Sequence, residues 1–549
     1  MKQRVLIIGG VASGASCAAR LRRLDEDVEI ILFERGAYIS YANCGLPYYT
    51  GGEIRSRDAL LLQSPEGMRN KFNIDVRVHS EVTSIDRANK TVSVNGPDGA
   101  YTEAYDTLVI ATGSSPIKPP IPGIDSPRVC TLWTVPDADV VKHLVACGAG
   151  RAAVIGGGFI GVETAENLRA AGFDVVLAEA ADQLMAPFDP EMALLIERAM
   201  KDGGVELRLG DAVQSFSERA GGVDVRLASG HVVSADFAVL AIGVRPNGQL
   251  AKDAGLAVNA RGGIIVDEYM KTSDPHIYAA GDVVEVNDLA LGGRAMIPLA
   301  GPANKQGRIV ADNIAGGSAR YEGSLGTSVA KVFDLACAST GANEKQLRAR
   351  GLVRGKDYHT VTIMQNSHAT YYPGARAMAL KLAFSADGNT LYGAQIVGHE
   401  GVDKRIDTIA TVIRLGGGID ALAALELSYA PPFSSAKDPV NMLGFAAENV
   451  IHGLADFAAW DVFDGEEDAL ALDVREDFEL RMFALPGAVH IPQTQLRARL
   501  SELDQSKKIV VFCAIGVRAH TAARLLLQNG FENVSIYPGG TRFYQLTHT

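Results

Sequence analysis

The apolar positions near the start of the chain fall into short unbroken runs. Val5-Leu6-Ile7-Ile8 stops at Gly9-Gly10, and Val28-Glu29-Ile30-Ile31-Leu32-Phe33 stops at the acid Glu34. Runs without a polar face predict strands covered on both sides, as in parallel sheets. Between them Gly9-Gly10-Val11-Ala12-Ser13-Gly14 supplies a turn into a helix, so the segment predicts a βαβ unit. The design recurs at Ala152-Ala153-Val154-Ile155, Gly156-Gly157-Gly158-Phe159-Ile160-Gly161 and Val175-Val176-Leu177-Ala178-Glu179. From 326 to 446 the pattern changes to alternating strands, such as Ala379-Leu380-Lys381-Leu382-Ala383-Phe384, and an amphipathic helix around Ile406 to Leu415. Past Asn449 it changes again, with Leu470-Ala471-Leu472-Asp473-Val474-Arg475-Glu476 and the apolar run Ile509-Val510-Val511-Phe512 ending at Cys513.

The length of 549 residues predicts three to four units, at about 150 residues each. A balance of 52 basic against 64 acidic residues, net −12, offers no footprint for nucleic acid, so a polyphosphate ligand needs a local basic pocket. No apolar run approaches the ~18 residues of a membrane span. Met1-Lys2-Gln3-Arg4 before an apolar run imitates a secretory signal, but Gly9, Gly10 and Gly14 interrupt it and Arg20, Arg22 and Arg23 stand where cleavage is expected. Six cysteines, at 17, 44, 130, 147, 337 and 513, show neither close pairs nor metal-ligand spacing; no metal is expected, and a reducing cytoplasm fits. Cys17, Cys130, Cys147 and Cys337 are expected to be buried apolar fillers.

Each glycine loop has a strand before it, a helix after it and an acid, Glu34 or Glu179, ending the next strand, which predicts two dinucleotide sites. Glycines let a pyrophosphate approach the helix N-terminus, and the acid accepts from a ribose hydroxyl. The second loop has all three glycines, Gly156, Gly158 and Gly161; the first keeps Gly9 and Gly14 but has Val11 in the middle place, which restricts backbone approach. Ala180 and Ala181 after Glu179 leave no cation for a 2′-phosphate, so NADH is expected over NADPH.

Two thiols remain. Cys44 lies in Ser40-Tyr41-Ala42-Asn43-Cys44-Gly45-Leu46-Pro47-Tyr48-Tyr49, on a predicted turn, with tyrosines where a local disulfide partner would stand. It must exchange with something outside itself. Cys513 opens the loop Cys513-Ala514-Ile515-Gly516-Val517-Arg518, whose closing arginine adds charge beside a thiol.

Ala111-Thr112-Gly113 and Tyr278-Ala279-Ala280-Gly281-Asp282 resemble the signatures of two-dinucleotide flavoprotein reductases. The Cys44 stretch, with Tyr429-Ala430-Pro431-Pro432-Phe433-Ser434-Ser435-Ala436-Lys437-Asp438-Pro439, is similar to coenzyme A disulfide reductases. Asp473 to Glu476, Leu485-Pro486-Gly487-Ala488-Val489-His490-Ile491-Pro492, the Cys513 loop and Tyr537-Pro538-Gly539-Gly540 resemble a rhodanese domain. Together they look like the fused NADH-dependent coenzyme A persulfide reductases. The fold this implies is α/β: two Rossmann-like dinucleotide-binding domains, an α+β dimerisation domain and a C-terminal α/β rhodanese domain. The expected divisions are an FAD-binding domain at 1–149 and 246–325, an NADH-binding domain at 150–245, a dimerisation domain at 326–446, a linker at 447–460 and the rhodanese domain at 461–549.

The resemblance also implies roles. Asp282 reaches the ribityl chain of FAD, with Ala111, Thr112 and Gly113 beside it, and Glu163 is the acid near the nicotinamide. Cys44 is the redox nucleophile: its thiolate attacks coenzyme A persulfide, expels hydrosulfide and holds coenzyme A as a mixed disulfide. Arg20, Arg23, Ser40, Lys71, Asn304 and Arg308 line the coenzyme A pocket. Tyr371 or its neighbour Tyr372, and Tyr429, are donated across a homodimer toward the sulfur. Cys513 carries sulfane sulfur with Arg518, and the apolar Ala514 and Ile515 argue against thiosulfate as its donor. The implied activity is NADH-dependent reduction of coenzyme A persulfide or polysulfide. Coenzyme A disulfide reduction uses the same residues; an NADH oxidase or peroxidase cycling Cys44 through sulfenic acid and a persulfide-trafficking redox sensor are the remaining alternatives.

Overall fold

The computed structural model describes residues 3–148, 150–464 and 469–548. Met1 and Lys2 of the basic head, and the expected boundary residues Ala149 and Thr549, lie outside the described residues. The chain forms two compact units, Met1–Asp182 with Gly203–Gly326, and Gln183–Asp202 with Thr327–Thr549.

In the first unit the strand Arg4–Ile8 pairs in parallel with Glu29–Phe33 on one side and Thr107–Ile110 on the other, and Asp75–Arg77 and Ile277–Ala279 complete a five-stranded sheet. Val5, Leu6 and Ile7 are fully buried, which is why the run has no polar face; burying each contributes roughly 1.5–3 kcal/mol. A second five-stranded parallel sheet repeats the plan around Arg151–Ile155, flanked by Asp174–Ala178 and Phe237–Leu240, with Val205–Arg208 and Val129–Thr131 at its edges. In both, the chain passes through a three-stranded antiparallel meander, 81–104 or 213–235, before returning to the centre of the sheet.

The second unit holds a five-stranded antiparallel sheet ordered Ser328–Val332, Leu335–Gly341, Leu391–Gly398, Ala377–Ser385, Tyr358–Asn366. The amphipathic helix expected at 406–415 runs Val402–Arg414, starting earlier because Gly401 at φ +71° opens it. Alternation in Ala377–Ser385 implies one solvated face, yet every residue from Met378 to Phe384 is buried. Lys381 survives there because its Nζ lies 2.9 Å from Asp189, 2.5 Å from Glu191 and 2.7 Å from Glu344. Burial alone would drive its proton off, but the three carboxylates hold its pKa above the ordinary lysine value. Asp189 and Glu191 begin the Pro190–Asp202 helix, so this cluster ties that helix to the sheet. The ammonium stands where the three carboxylates could otherwise hold a metal ion.

The C-terminal part of the unit is a four-stranded parallel sheet ordered Val489–His490, Ala469–Asp473, Lys508–Phe512, Val534–Ile536, with the Val517–Leu527 and Gly540–Thr547 helices. No disulfide joins any of the six cysteines. Cys17, Cys130 and Cys337 are buried as expected, but Cys147 is exposed: it caps the surface end of the Val135–Ala146 helix instead of facing the core.

Candidate active site

Cys44 sits on a single helical turn, Asn43–Gly45, leading into the short Leu46–Gly51 helix. Ser40 adopts a left-handed conformation, φ +44°, and Tyr41 bridges to Leu61, so the chain turns sharply before the thiol. The Leu46–Gly51 helix packs on Phe159–Ala170 so closely that a methyl group on Gly51 would lie 2.7 Å from Asn167 O. That packing delivers the Tyr48 hydroxyl to Glu163 Oε1 at 3.2 Å.

Cys44 is solvent-accessible, yet protein surrounds it at longer range. Burial pushes its thiol pKa up, and the carboxyls of Glu163 and Asp282 add to the rise. Burial pushes Glu163 up to about 7; the bond from Tyr48 opposes this and the charge of Glu166 reinforces it. Burial also raises Asp282, whose Oδ2 accepts from Ser114 Oγ at 2.9 Å. Of the three groups Glu163 is the one that burial brings near neutrality, which suits it to move a proton beside the thiol.

Ala111, Thr112 and Gly113 follow the Thr107–Ile110 strand, and Gly281-Asp282 follows Ile277–Ala279, so they stand at the carboxyl ends of neighbouring strands, where open α/β sheets bind ligands. A methyl group on Gly9 would sit 2.2 Å from Ala111 O, and one on Gly14 1.9 Å from Gly9 O. Gly156 and Gly161 meet the same limits against Ala241 O and Gly156 O. Gly158 differs: nothing lies within 4 Å of its missing side chain, leaving open space before the Phe159–Ala170 helix that suits a pyrophosphate. Glu34 accepts from Gly10 N at 3.0 Å and Gly36 N at 2.8 Å; Glu179 accepts from Gly157 N at 2.5 Å and Ala181 N at 2.8 Å. Each acid is thus fixed beside its glycine loop. The two loops, each with its acid, fit two dinucleotides.

Three helices carry the expected coenzyme A residues: Arg20 and Arg23 on Ala12–Leu24, Lys71 on Pro65–Phe72, and Asn304 and Arg308 on Ala300–Ile314. The first and last pack closely, since a methyl group on Gly307 would be 2.2 Å from Ser13 O. Arg20 pairs with Asp312 at 2.7 Å, Arg23 lies over the Phe72 ring at 5.4 Å, and Asn304 Oδ1 accepts from Ser16 Oγ at 2.5 Å. Lys71 and Arg308 are exposed.

In the second unit the Tyr371 and Tyr429 hydroxyls meet at 2.5 Å, although Tyr371 is 74% exposed. Tyr372 instead packs edge-on against the His368 ring. The loops bearing Tyr371 and Tyr429 are held by the buried Arg405, which donates to Ser367 O at 2.9 Å and to Asp438 Oδ2 at 3.0 Å. Cys513 is buried at the end of Lys508–Phe512 and accepts from Gly516 N at 3.2 Å. Its loop is pinned by Thr541 N and Arg542 N, which donate to Cys513 O and Ala514 O. Gly540 is needed there, at φ +66° with Cys513 O 2.3 Å from where a side chain would begin. Arg518 is paired with Glu479, Nη1 to Oε2 at 2.5 Å and Nη2 to Oε1 at 2.7 Å.

Sequence reasoning missed Tyr48 as a partner of Glu163, Arg405 as the tie between the tyrosine loops, and Glu479. None of these partnerships is marked by local spacing in the sequence.

With this geometry in view, the model of the pyridine nucleotide-disulphide oxidoreductase family matches residues 3–307, and that of its dimerisation domain matches 327–439. The chain belongs to that family. A rhodanese-like domain matches 460–546. The reduced CoADR-RHD of Bacillus anthracis is 48% identical, with a TM-score of 0.96 over 100% of this chain and 98% of that one. An NAD-dependent persulfide reductase from A. fulgidus is 41% identical, with a TM-score of 0.93 over 99% of this chain and 100% of that one. An NAD(P)H coenzyme A polysulfide/persulfide reductase of Pyrococcus horikoshii is 34% identical over 445 residues, 81% of this chain and 98% of that one. Family membership makes the chain an FAD-dependent oxidoreductase using a nicotinamide nucleotide. No helix among the described residues is long and apolar enough to cross a membrane.

Proposed function

We propose that the chain is a homodimeric NADH-dependent reductase of coenzyme A persulfide or polysulfide, with Cys44 as the redox nucleophile and Cys513 as a carrier of sulfane sulfur. The observation that carries this is Cys44 itself: an accessible thiol with Tyr48 in the place of a local partner, on a chain that ends in a rhodanese-like domain. Bound FAD supplies two-electron transfer between nicotinamide and sulfur.

Gly9, Gly14, Glu34, Ala111, Thr112, Gly113 and Asp282 hold the flavin; Gly156, Gly158, Gly161 and Glu179 hold the nicotinamide nucleotide. Cys44 as thiolate attacks the inner sulfur of the persulfide; an S–S bond forms to coenzyme A and the outer sulfur leaves as hydrosulfide. Glu163, titrating near neutrality, takes or returns the thiol proton, and Tyr48 holds its carboxyl in place. Release of coenzyme A takes two electrons and restores the Cys44 thiolate. Arg20, Arg23, Ser40, Lys71, Asn304 and Arg308 receive the coenzyme A phosphates, and Tyr371 and Tyr429 of the second copy donate to the leaving thiolate. Six cysteines without a disulfide fit a reducing, cytoplasmic setting.

Coenzyme A disulfide reduction would use the same residues. Anaerobic NADH oxidation, compared across coenzyme A persulfide, polysulfide, coenzyme A disulfide and peroxide, decides between the readings. The persulfide is expected to give the highest kcat/KM; a higher value for the disulfide would assign the chain to disulfide reduction instead.

A further inference from the structure

Glu479, the partner of Arg518, has no part in the chemistry described so far. Arg518 closes the six-residue loop opened by Cys513 and is the cation placed to meet a charged donor at that sulfur. Each terminal nitrogen gives one N–H to the Glu479 carboxylate, a fork-to-fork contact that leaves the pair with no net charge while the guanidinium still reaches the Cys513 sulfur. Glu479 Oε2 also accepts from Glu476 N at 3.0 Å, so the acid is fixed by its own turn. The bond to Arg518 holds the Glu479 carboxyl down to about 2, so it stays ionised at every working pH.

The other nearby cation is spent as well. Arg475 is buried and doubly bonded to Asp473, and donates to Phe483 O at 2.8 Å. Arg481 and Arg542, on neighbouring segments, are exposed, where solvent and salt screen them. Along the chain the pair is bordered by exposed apolar side chains, a rim interrupted by the charged Asp477 and Arg481. Phe478, 66% exposed, and Met482, 89% exposed, flank Glu479 in sequence, and Val517, 56% exposed, precedes Arg518.

We propose that Glu479 sets the donor preference of the Cys513 site: by neutralising Arg518 it selects alkyl persulfides, whose organic arm suits the apolar rim, against thiosulfate, whose two charges need an unpaired cation. This rests on the reading of Cys513 as a sulfur carrier. In the favoured transfer the Cys513 thiolate attacks the outer sulfur of R–S–SH. A bond forms between Cys513 Sγ and that sulfur, the donor S–S bond breaks, its electron pair leaves on RS⁻, and Cys513 is left as the persulfide with no net oxidation.

The test is sulfur transfer to cyanide by the full-length holoprotein, with thiosulfate and 2-mercaptoethanol persulfide as donors. Glu479→Gln keeps an acceptor for Glu476 N but frees the Arg518 charge. It is expected to raise kcat/KM for thiosulfate about tenfold at low salt, with less than about a threefold change for the persulfide. The gain should shrink as salt rises and vanish in the double variant Glu479→Gln/Arg518→Gln. Equal changes for both donors, or none, would overturn the proposal. Wild-type protein provides a check that needs no variant: its kcat/KM for thiosulfate should vary little with ionic strength, and a steep fall with salt contradicts a neutralised arginine. If wild type moves sulfur from neither donor, and matches Cys513→Ser, the carrier reading itself falls.

Discussion

The Tyr48 hydroxyl donates to Glu163 Oε1 at 3.2 Å, across 115 positions of sequence. Four residues after Cys44, where a second cysteine could have closed a local disulfide, the chain carries a phenol that holds a carboxyl close enough to oppose ionisation of the thiol.

Glu163 should therefore shape the pH dependence. Its folded pKa of about 7 lies above the ordinary 4.5, so it ionises as pH rises through neutrality and places a charge near Cys44 that disfavours the thiolate. Glu163→Gln removes that charge. Cys44 alkylation by iodoacetamide, followed on its own peptide, should then reach half its maximal rate at a lower pH than in wild type, and the inflection near 7 should disappear from the kcat/KM profile. An unchanged midpoint would separate Glu163 from the thiol.

Glu179 is held by Gly157 N and Ala181 N at the strand end, with alanines at 180 and 181. Glu179→Ala should narrow the preference for NADH over NADPH by roughly tenfold, the worth of one hydrogen bond to a charged group. Wild-type preference for NADPH would show that the carboxylate does not face the ribose.

The elements set by local pattern were legible. Val5 to Ile8 and Ala152 to Ile155 form central parallel strands, and the glycine loops follow them, because burial on both faces and tight turns leave their mark within a few residues. What joins distant segments was not. Lys381 interrupts an apolar strand and reads as a solvent-facing position; it is buried only because Asp189, Glu191 and Glu344 converge on it from elsewhere in the chain. Arg518 reads as a free cation beside Cys513, and its neutralising partner lies 39 positions earlier. Cys147 resembles the other apolar cysteines, and only the end of its helix exposes it.

Lys381 gives a stability prediction. Lys381→Met leaves three buried carboxylates without their cation and should cost about 3–5 kcal/mol. Glu344 is held at about 2 against an ordinary 4.5, since Lys381 outweighs the effect of burial. Its contribution is therefore complete above pH 4.5 and is lost as pH falls through 2. In the variant only Arg354 and Arg348 oppose the burial of Glu344, and its carboxyl takes up a proton more readily, so the loss in Tm should be larger at pH 8 than at pH 5. A variant melting within 2 °C of wild type, on the order of 0.5 kcal/mol, at both pH values would mean the cluster does not hold the Pro190–Asp202 helix.

The account turns on where coenzyme A becomes attached. Holoprotein with its flavin oxidised and Cys44 as the free thiol, mixed anaerobically with coenzyme A persulfide, quenched in acid and digested without reductant, should yield a coenzyme A mixed disulfide on the peptide containing Cys44, with one hydrosulfide released per adduct. Cys44→Ser should keep its flavin and give neither. A coenzyme A adduct on Cys513 or Cys147 in place of Cys44, or hydrosulfide release that persists in Cys44→Ser, would contradict the assignment of Cys44 as the nucleophile.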